Sequence, residues 1–172
     1  VDKQAQLPKD IRWHFIGHLQ SNKVKYIAPF VQLIHGVDSF KLLKEINKEA
    51  AKNNRVIDVL LQVHIAQEET KFGLNEDELK TIYNKKSDGL HELKNVRICG
   101  FMGMASFSDD LEKVRGEFRS LKSLYDWYAD LPIANSQFSI LSMGMSGDYK
   151  IAIEEGSTMV RIGSLLFGAR NL

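Results

Sequence analysis

The sequence has little cysteine, proline or tryptophan and lacks any long apolar run. It contains one cysteine, three prolines and two tryptophans. A single cysteine excludes a disulfide within the chain, and Cys99 lies among apolar residues, so we expect it to be a buried small hydrophobe in a reducing cytosol. No apolar run approaches the ~20 residues of a membrane span, and the N-terminus is polar, without the apolar segment of a signal peptide. These absences predict a cytoplasmic protein.

The charges of the chain nearly cancel. Its 23 basic and 22 acidic residues exclude a strong overall field toward nucleic acid or a membrane surface. Hydrophobic residues make up 44% of the 172 residues, which is enough to bury a core. We therefore predict a single domain over residues 1–172 that recognises any ligand through local features.

Short, mostly apolar runs alternate with amphipathic stretches along the chain. The apolar runs are typical of strands covered by helices on both faces of a parallel sheet. The six candidate strands are residues 12–17, 32–37, 56–65, 96–104, 138–143 and 159–163. The pattern predicts an α/β fold.

Apolar residues at spacings of three and four predict the helices between these strands. The stripes expected to face the core are Leu111, Val114, Phe118, Leu121 and Tyr125; Phe40, Leu43, Ile46 and Ala50; and Leu79, Ile82 and Tyr83. A short helix over residues 150–155 is expected to begin near Ser146 or Gly147. Six such units suit either an open doubly wound sheet or most of a TIM-type (β/α)8 barrel, whose usual length is ~250 residues. For a barrel, the two further units would precede Val1.

Two turns rich in glycine and serine near the end of the chain are the strongest functional signal. The first lies in SILSMGMSGDYK (139–150) and opens a helix, where backbone N–H groups and the hydroxyls of Ser142 and Ser146 could bind an anion. The second follows the strand in MVRIGSLLFG (159–168), at Gly163 and Ser164, where a ligand can approach the backbone closely. Either turn alone could be an ordinary helix cap. In barrels, however, the loops after the last two strands frequently form a phosphate site.

Arg161 is the candidate ligand-binding cation. Side chains alternate across a strand, so Arg161 lies opposite Val160 and Ile162, which suit the helix layer. Arg161 would then point into the barrel near its mouth, where a cation needs hydrogen-bond acceptors. It could contact a ligand there, or it could form a buried ion pair with an acid such as Asp58.

Other polar residues are weaker candidates. The histidines His14, His18, His35, His64 and His91 are scattered without the spacing of a zinc site, so we expect no metal. The segment GHLQSNKV (17–24) is expected to open a helix capped by Ser21 or Asn22. Lys23 and Lys71 could reach the mouth of a site but are expected to be solvated.

Four motifs together resemble those of the pyridoxal phosphate homeostasis protein family. They are WHFIGHLQSNK (13–23), GFMGM (100–104), LSMGMSGD (141–148) and GSTMVRIGSLLFGAR (156–170). The resemblance runs from about Ile11 to Asn171. It implies the alanine-racemase-like barrel of fold type III, of which the chain would supply the C-terminal three quarters, strands three to eight.

The resemblance also implies a cofactor site for pyridoxal 5'-phosphate (PLP). Ser142, Ser146, Gly163 and Ser164, with backbone amides around Met145, would hold the phosphate. Arg161 matches the arginine that faces the pyridine nitrogen, where a cation disfavours protonation of the ring and makes it a poor electron sink. The family's Schiff-base lysine, with its Ser-Lys-rich motif and the Gly-Glu-Asn-Tyr-like motif that follows, does not occur here. Both motifs would fall before Val1.

Three functions remain open from the sequence. The resemblance implies a non-catalytic, cytoplasmic and monomeric protein that holds and releases PLP, with PLP-dependent apoenzymes as possible recipients. The alternative is a fold type III amino-acid racemase or decarboxylase, which would need an opposing acid or base. The third is a barrel that binds a phosphorylated metabolite without a cofactor.

Overall fold

The described part of the chain forms a sheet of six strands with helices between them. The structure is a computed structural model that describes residues 1–66, 72–84, 89–132 and 135–168. The strands are β1 (Trp13–Phe15), β2 (Val31–Val37), β3 (Ile57–Val63), β4 (Val96–Gly103), β5 (Ser136–Met145) and β6 (Met159–Arg161). The helices are α1 (Asp2–Gln6), α2 (Val24–Ile27), α3 (Phe40–Lys52), α4 (Glu76–Asn84), α5 (Leu111–Ala129), α6 (Tyr149–Glu154) and α7 (Ser164–Phe167), with 3-10 turns at Ser21–Lys23 and Leu90–Glu92. All six predicted strands are confirmed, with shifted ends.

The order of the strands shows which α/β architecture the chain adopts. Every neighbouring pair is parallel, and the strands lie side by side in chain order from β1 to β6. A doubly wound sheet reverses its strand order at a switch point, whereas a TIM-type barrel keeps it sequential. The described sheet is therefore a six-stranded section of a (β/α)8 barrel, as one of the two sequence alternatives predicted.

The two faces of the sheet carry different cores. Alternate residues of β3 show the division, since Ile57, Val59, Leu61 and Val63 pack in the large cluster under the helices and Leu60 lies on the other face. A smaller cluster fills the inner face, formed by Leu33, Leu60, Cys99 and Met102 with Met104, Ile140 and Met159 around it. Cys99 is 5% exposed and belongs to this inner cluster, which confirms its prediction as a buried hydrophobe.

The helices pack largely as their apolar stripes predict. Leu43, Ile46 and Ala50 of α3 are fully buried, and Ser39 caps this helix by accepting a hydrogen bond from the backbone nitrogen of Leu42. Leu111 departs from its predicted stripe because it is 58% exposed. Leu111 is the first residue of α5. The first turn of a helix that follows a barrel strand lies at the end of the barrel formed by the carboxyl ends of the strands.

Two predicted helix starts are wrong. The helical segment after β1 begins with a 3-10 turn whose N-cap is Gln20, and neither Ser21 nor Asn22 caps it with its side chain. Helix α6 begins at Tyr149, later than predicted. The Asp148 carboxylate accepts a hydrogen bond from the Met145 nitrogen at 2.6 Å, which holds residues 145–148 as a turn outside the helix.

Candidate functional site

A cavity of about 880 Å³ opens at the carboxyl ends of the strands. Its walls include the segments that follow β1, β5 and β6 and the ends of β3 and β4. Residues from these five places include Gly17, Gln62, Met102, Ser146 and Gly163. This end of a barrel is where TIM-type enzymes place their active sites, because the loops after neighbouring strands meet there.

The two serine- and glycine-rich turns meet in this cavity. The Ser146 hydroxyl oxygen accepts hydrogen bonds from the backbone nitrogen atoms of Gly163 at 3.3 Å and Leu165 at 3.4 Å. A Cβ atom built on Gly147 or on Gly163 would meet no atom within 4 Å, so the backbone at both positions borders open space. Met145 and Ser164 also line the cavity. The structure thus brings together four of the six predicted site residues at one wall: Met145, Ser146, Gly163 and Ser164.

Close packing of β5 against α6 holds the first turn in place. Gly144 has a φ of +94°, and a Cβ atom there would lie 2.6 Å from Cβ of Ala152 in α6. Only glycine adopts this conformation at low cost and allows the helix to approach so closely. The Met145 amide is bonded to Asp148 within the same turn. The expectation that amides around Met145 are available for a phosphate therefore applies to its neighbours rather than to Met145 itself.

Arg161 forms part of the cavity wall, at the end of β6. Its Nη1 donates to the Ser142 carbonyl and hydroxyl oxygens, both at 2.9 Å, and its Nη2 donates to the Gly103 carbonyl at 3.0 Å. The Arg161 side chain thus points into the barrel, as predicted. Within the described ranges, two of its five N–H groups have no protein acceptor.

Asp58, the alternative partner that the sequence offered for Arg161, binds Arg97 instead. Asp58 accepts hydrogen bonds from Arg97 Nε at 2.7 Å and Nη2 at 2.9 Å, across β3 and β4. The alternative in which Arg161 forms an ion pair with Asp58 is therefore wrong. Val160 faces α6, as predicted, but Ile162 lines the cavity because β6 ends at Arg161 and its alternation stops there.

Ser142 lies behind Arg161. Its side chain is fully buried, and its hydroxyl oxygen accepts the bond from Arg161 while lying 3.4 Å from Nδ1 of His35. It is absent from the described residues that line the cavity. The structure thus places the sixth predicted residue where it supports the guanidinium, one layer below the wall that carries Ser146.

Burial determines the charge states around this cluster. Removal from water lowers the pKa of Arg161 to about 10, so the guanidinium stays charged at neutral pH. It lowers the pKa of His35 to about 4, with further contributions from His14 and Arg161, so His35 is neutral at pH 7. Burial also lowers the pKa of His14. At pH 7 the Arg161 cation therefore lies close to a neutral His35 imidazole.

The sequence interpretation missed a second polar wall of the cavity. His18 stacks on Phe72 with ring centroids 4.9 Å apart, and its Nδ1 lies 3.2 Å from the Asp38 carboxylate. His18 and Asp38 follow the ends of β1 and β2, which is the signal that could have identified them. Ser106 also lines the cavity, and the buried Glu117 carboxylate accepts bonds from its backbone nitrogen and hydroxyl.

The remaining candidates contribute little to the cavity. Lys23 is exposed, with its Nζ 5.8 Å from the Tyr26 ring centroid, and Lys71 lies outside the described residues. The described ranges contain no group of three metal-ligating side chains. Within the same ranges, no helix combines the length and the apolar character that a bilayer span requires.

Comparison with known proteins agrees with this geometry. The family described as "Alanine racemase, N-terminal domain" matches residues 4–171. A pyridoxal phosphate homeostasis protein of Aquifex aeolicus is 47% identical over 162 residues, which cover 94% of this chain and 68% of that protein. The chain thus spans about two thirds of the length of this relative.

Comparison with solved structures also finds proteins of the same fold. PipY of Synechococcus elongatus PCC7942, solved with PLP bound, superposes with a TM-score of 0.83 at 29% identity over 97% of this chain and 74% of PipY. An alanine racemase of Clostridium difficile 630 superposes with a TM-score of 0.68 at 16% identity, over 99% of this chain and 42% of the racemase, which shows a shared fold alone. From its sequence relatives and its barrel, the chain belongs to the pyridoxal phosphate homeostasis protein family.

Proposed function

We propose that this chain forms the phosphate and ring wall of a PLP site and that the protein holds and releases the cofactor in the cytoplasm. The observation that carries the proposal is the meeting of the two turns at Ser146 and Gly163 in the cavity that Arg161 also lines. PipY, a family member of the same fold, is a protein with PLP bound. PLP carries a phosphate and a ring nitrogen, and this cavity offers a partner for each.

The phosphate would lie at the wall formed by the two turns. The Ser146 hydroxyl can rotate to donate to a phosphate oxygen, and the Gly163 and Leu165 amides that now point at its oxygen can share that ligand. Gly163 and Gly147 leave the space that a phosphate needs. Met145 and Ser164 border the same space. Ser142 would act one layer deeper, through Arg161.

Arg161 would face the pyridine nitrogen. Its remaining N–H groups can only donate, so the ring nitrogen must be unprotonated to accept. When bound, PLP supplies an electron sink to amino-acid chemistry, and that sink is weak when the ring nitrogen is unprotonated. A guanidinium that stays charged at neutral pH therefore favours retention of the cofactor over vigorous catalysis.

The experiment is a titration of the purified protein with PLP, followed by its visible absorbance. We expect saturable binding at one site. Borohydride reduction and mass mapping then report whether the cofactor is attached covalently and to which residue. Binding of inorganic phosphate without binding of PLP would favour the phosphorylated-metabolite function. Rapid turnover in amino-acid racemisation or decarboxylation assays would favour the enzyme.

Two further parts of the proposal concern assembly. The protein is proposed to be a monomer, which the mass of the PLP-loaded species in light scattering would test. PLP-dependent apoenzymes are its proposed recipients. Transfer is tested by mixing the loaded protein with an apoenzyme and following the activity that the apoenzyme regains, in the presence of an excess of a scavenger for free PLP.

A further inference from the structure

Four polar side chains form a continuous chain across the inner face of the sheet. Arg161 Nη1 lies 2.9 Å from the Ser142 hydroxyl oxygen, which lies 3.4 Å from Nδ1 of His35. Nε2 of His35 lies in turn 3.2 Å from Nδ1 of His14. The chain starts on β6, passes through β5 and β2, and ends on β1. It therefore joins the cavity wall to the far edge of the described sheet.

The chemistry of arginine determines the first link of this chain. A guanidinium has donors and no acceptor, so the Ser142 oxygen must accept from Arg161. The hydroxyl proton of Ser142 then needs an acceptor of its own, because the side chain is fully buried. Among the described residues, Nδ1 of His35 is the acceptor within reach. Nδ1 of His35 must therefore be unprotonated.

The second link follows from the first. A neutral imidazole with an unprotonated Nδ1 carries its proton on Nε2, and this N–H donates to Nδ1 of His14. His14 must then also carry its own proton on Nε2. The opposite tautomer of His35 would point a donor toward the Arg161 cation and leave the buried Ser142 proton without an acceptor. Every donor in the chain thus points away from Arg161.

We propose that Ser142 and His35 are positioning residues that hold the guanidinium of Arg161 through this one-directional chain, with His14 as its terminal acceptor. The proposal rests on the proposed function, in which Arg161 contacts the PLP ring. Ser142 and Gly103 accept hydrogen bonds from three of the five N–H groups of the guanidinium, so its remaining donors are held ready for the ligand. A preorganised donor loses less freedom on binding and binds more tightly.

The first test measures the tautomers directly in the ligand-free protein. Nitrogen-15 NMR of protein labelled at histidine distinguishes a proton on Nε2 from a proton on Nδ1. At pH 7 we expect both His35 and His14 to carry it on Nε2. A proton on Nδ1 of His35 would overturn the proposal. This measurement needs no variant and no ligand, so its outcome is independent of PLP binding.

The second test links the chain to ligand affinity. Ser142→Ala should weaken PLP binding about tenfold, since the guanidinium loses a charge-assisted hydrogen bond, and should shift His35 away from its single tautomer. Ser142→Thr keeps the hydroxyl and should restore both readouts. Ser120→Ala is the matched control, because Ser120 is exposed on α5 and its hydroxyl donates to the Gly116 carbonyl of its own helix.

The outcomes separate the two proposals. Unchanged affinity and an unchanged His35 tautomer in folded Ser142→Ala would overturn the positioning role while leaving the PLP site intact. If Ser142→Ala fails to fold, the wild-type tautomers still decide the direction of the chain. His35→Leu, which removes the acceptor of the Ser142 proton, then tests the coupling to the ligand: weaker PLP binding is expected, and unchanged binding would overturn it. Absence of PLP binding by the wild-type protein would instead contradict the proposed function.

Discussion

The hydroxyl oxygen of Ser146 lies 3.3 Å from the backbone nitrogen of Gly163, which is 17 residues away in the chain. This bond joins the turn after β5 to the turn after β6 and places both beside the cavity. Two turns that are unrelated in sequence thus form one polar wall. The proposed phosphate contacts depend on this junction.

Replacing Ser146 with alanine tests that wall. Ser146→Ala removes the hydroxyl that bonds to the Gly163 and Leu165 amides and that we expect to contact the phosphate. The affinity for PLP should fall about tenfold, the usual effect of one lost hydrogen bond to a charged group. An absorbance titration measures it, with Ser120→Ala as the control. Equal affinities of Ser146→Ala and wild type would place the phosphate elsewhere.

Reversing the charge at Arg161 tests the ring contact. Arg161→Glu places a carboxylate near the cavity, which should either strengthen the electron sink by favouring a protonated ring or eject the ring. The absorption spectrum and affinity of bound PLP distinguish these results. Arg97→Gln is the control, because it also removes a guanidinium from the inner face but does not line the cavity. An unchanged spectrum and affinity in Arg161→Glu would remove Arg161 from the site.

Gly100 tests the packing between β4 and β5. Its φ is +141°, and a Cβ atom there would collide with the carbonyl oxygen of Ile140. Gly100→Ala should therefore lower the free energy of unfolding by at least about 2 kcal/mol. Gly116→Ala in α5 is the matched control, because a Cβ atom there would meet no atom within 4 Å beyond the backbone of its own helix. This substitution should raise the free energy of unfolding by about 0.5–1 kcal/mol. Urea unfolding measures both, and equal effects would contradict the packing argument.

The buried histidine predicts a pH dependence of stability. The pKa of His35 is about 4 in the fold against 6.5 for an exposed histidine, so the unfolded chain binds more protons between these values. Stability should be complete above pH 6.5 and fall as the pH drops toward 4. The loss from His35 alone is about 3 kcal/mol, since each pH unit contributes about 1.4 kcal/mol.

The comparison of wild type with His35→Gln isolates this effect from the carboxylates, which titrate in both proteins. Chemical unfolding at several pH values between 4 and 7 gives the difference in the free energy of unfolding. We expect the difference to narrow as the pH falls, because only the wild type loses the contribution of a neutral imidazole. Parallel pH profiles for the two proteins would show that His35 titrates normally.

Local patterns predicted most elements but only part of the site. The strands were visible because a parallel strand with both faces buried is apolar nearly throughout, as in β3. The turn at Ser146 and the inward direction of Arg161 also followed from local sequence. Ser142 was predicted to contact the phosphate because it shares a motif with Ser146, yet it is fully buried under Arg161. How deeply a strand residue is buried depends on the side chains of the neighbouring strands, and the sequence of β5 alone does not reveal it.

The sequence by itself determined the six strands, most of the helices, the face on which Arg161 lies and the presence of two polar turns, because each depends on residues within a few positions of one another. Only the tertiary structure decided that the strands lie side by side in chain order, as in a barrel. It also decided that Arg97 binds Asp58 and that Ser142 and His35 lie beneath Arg161. These contacts join residues that are tens of positions apart. They form because the twisted sheet brings residues of different strands together on its inner face. The local periodicity of the sequence does not show which residues become neighbours there.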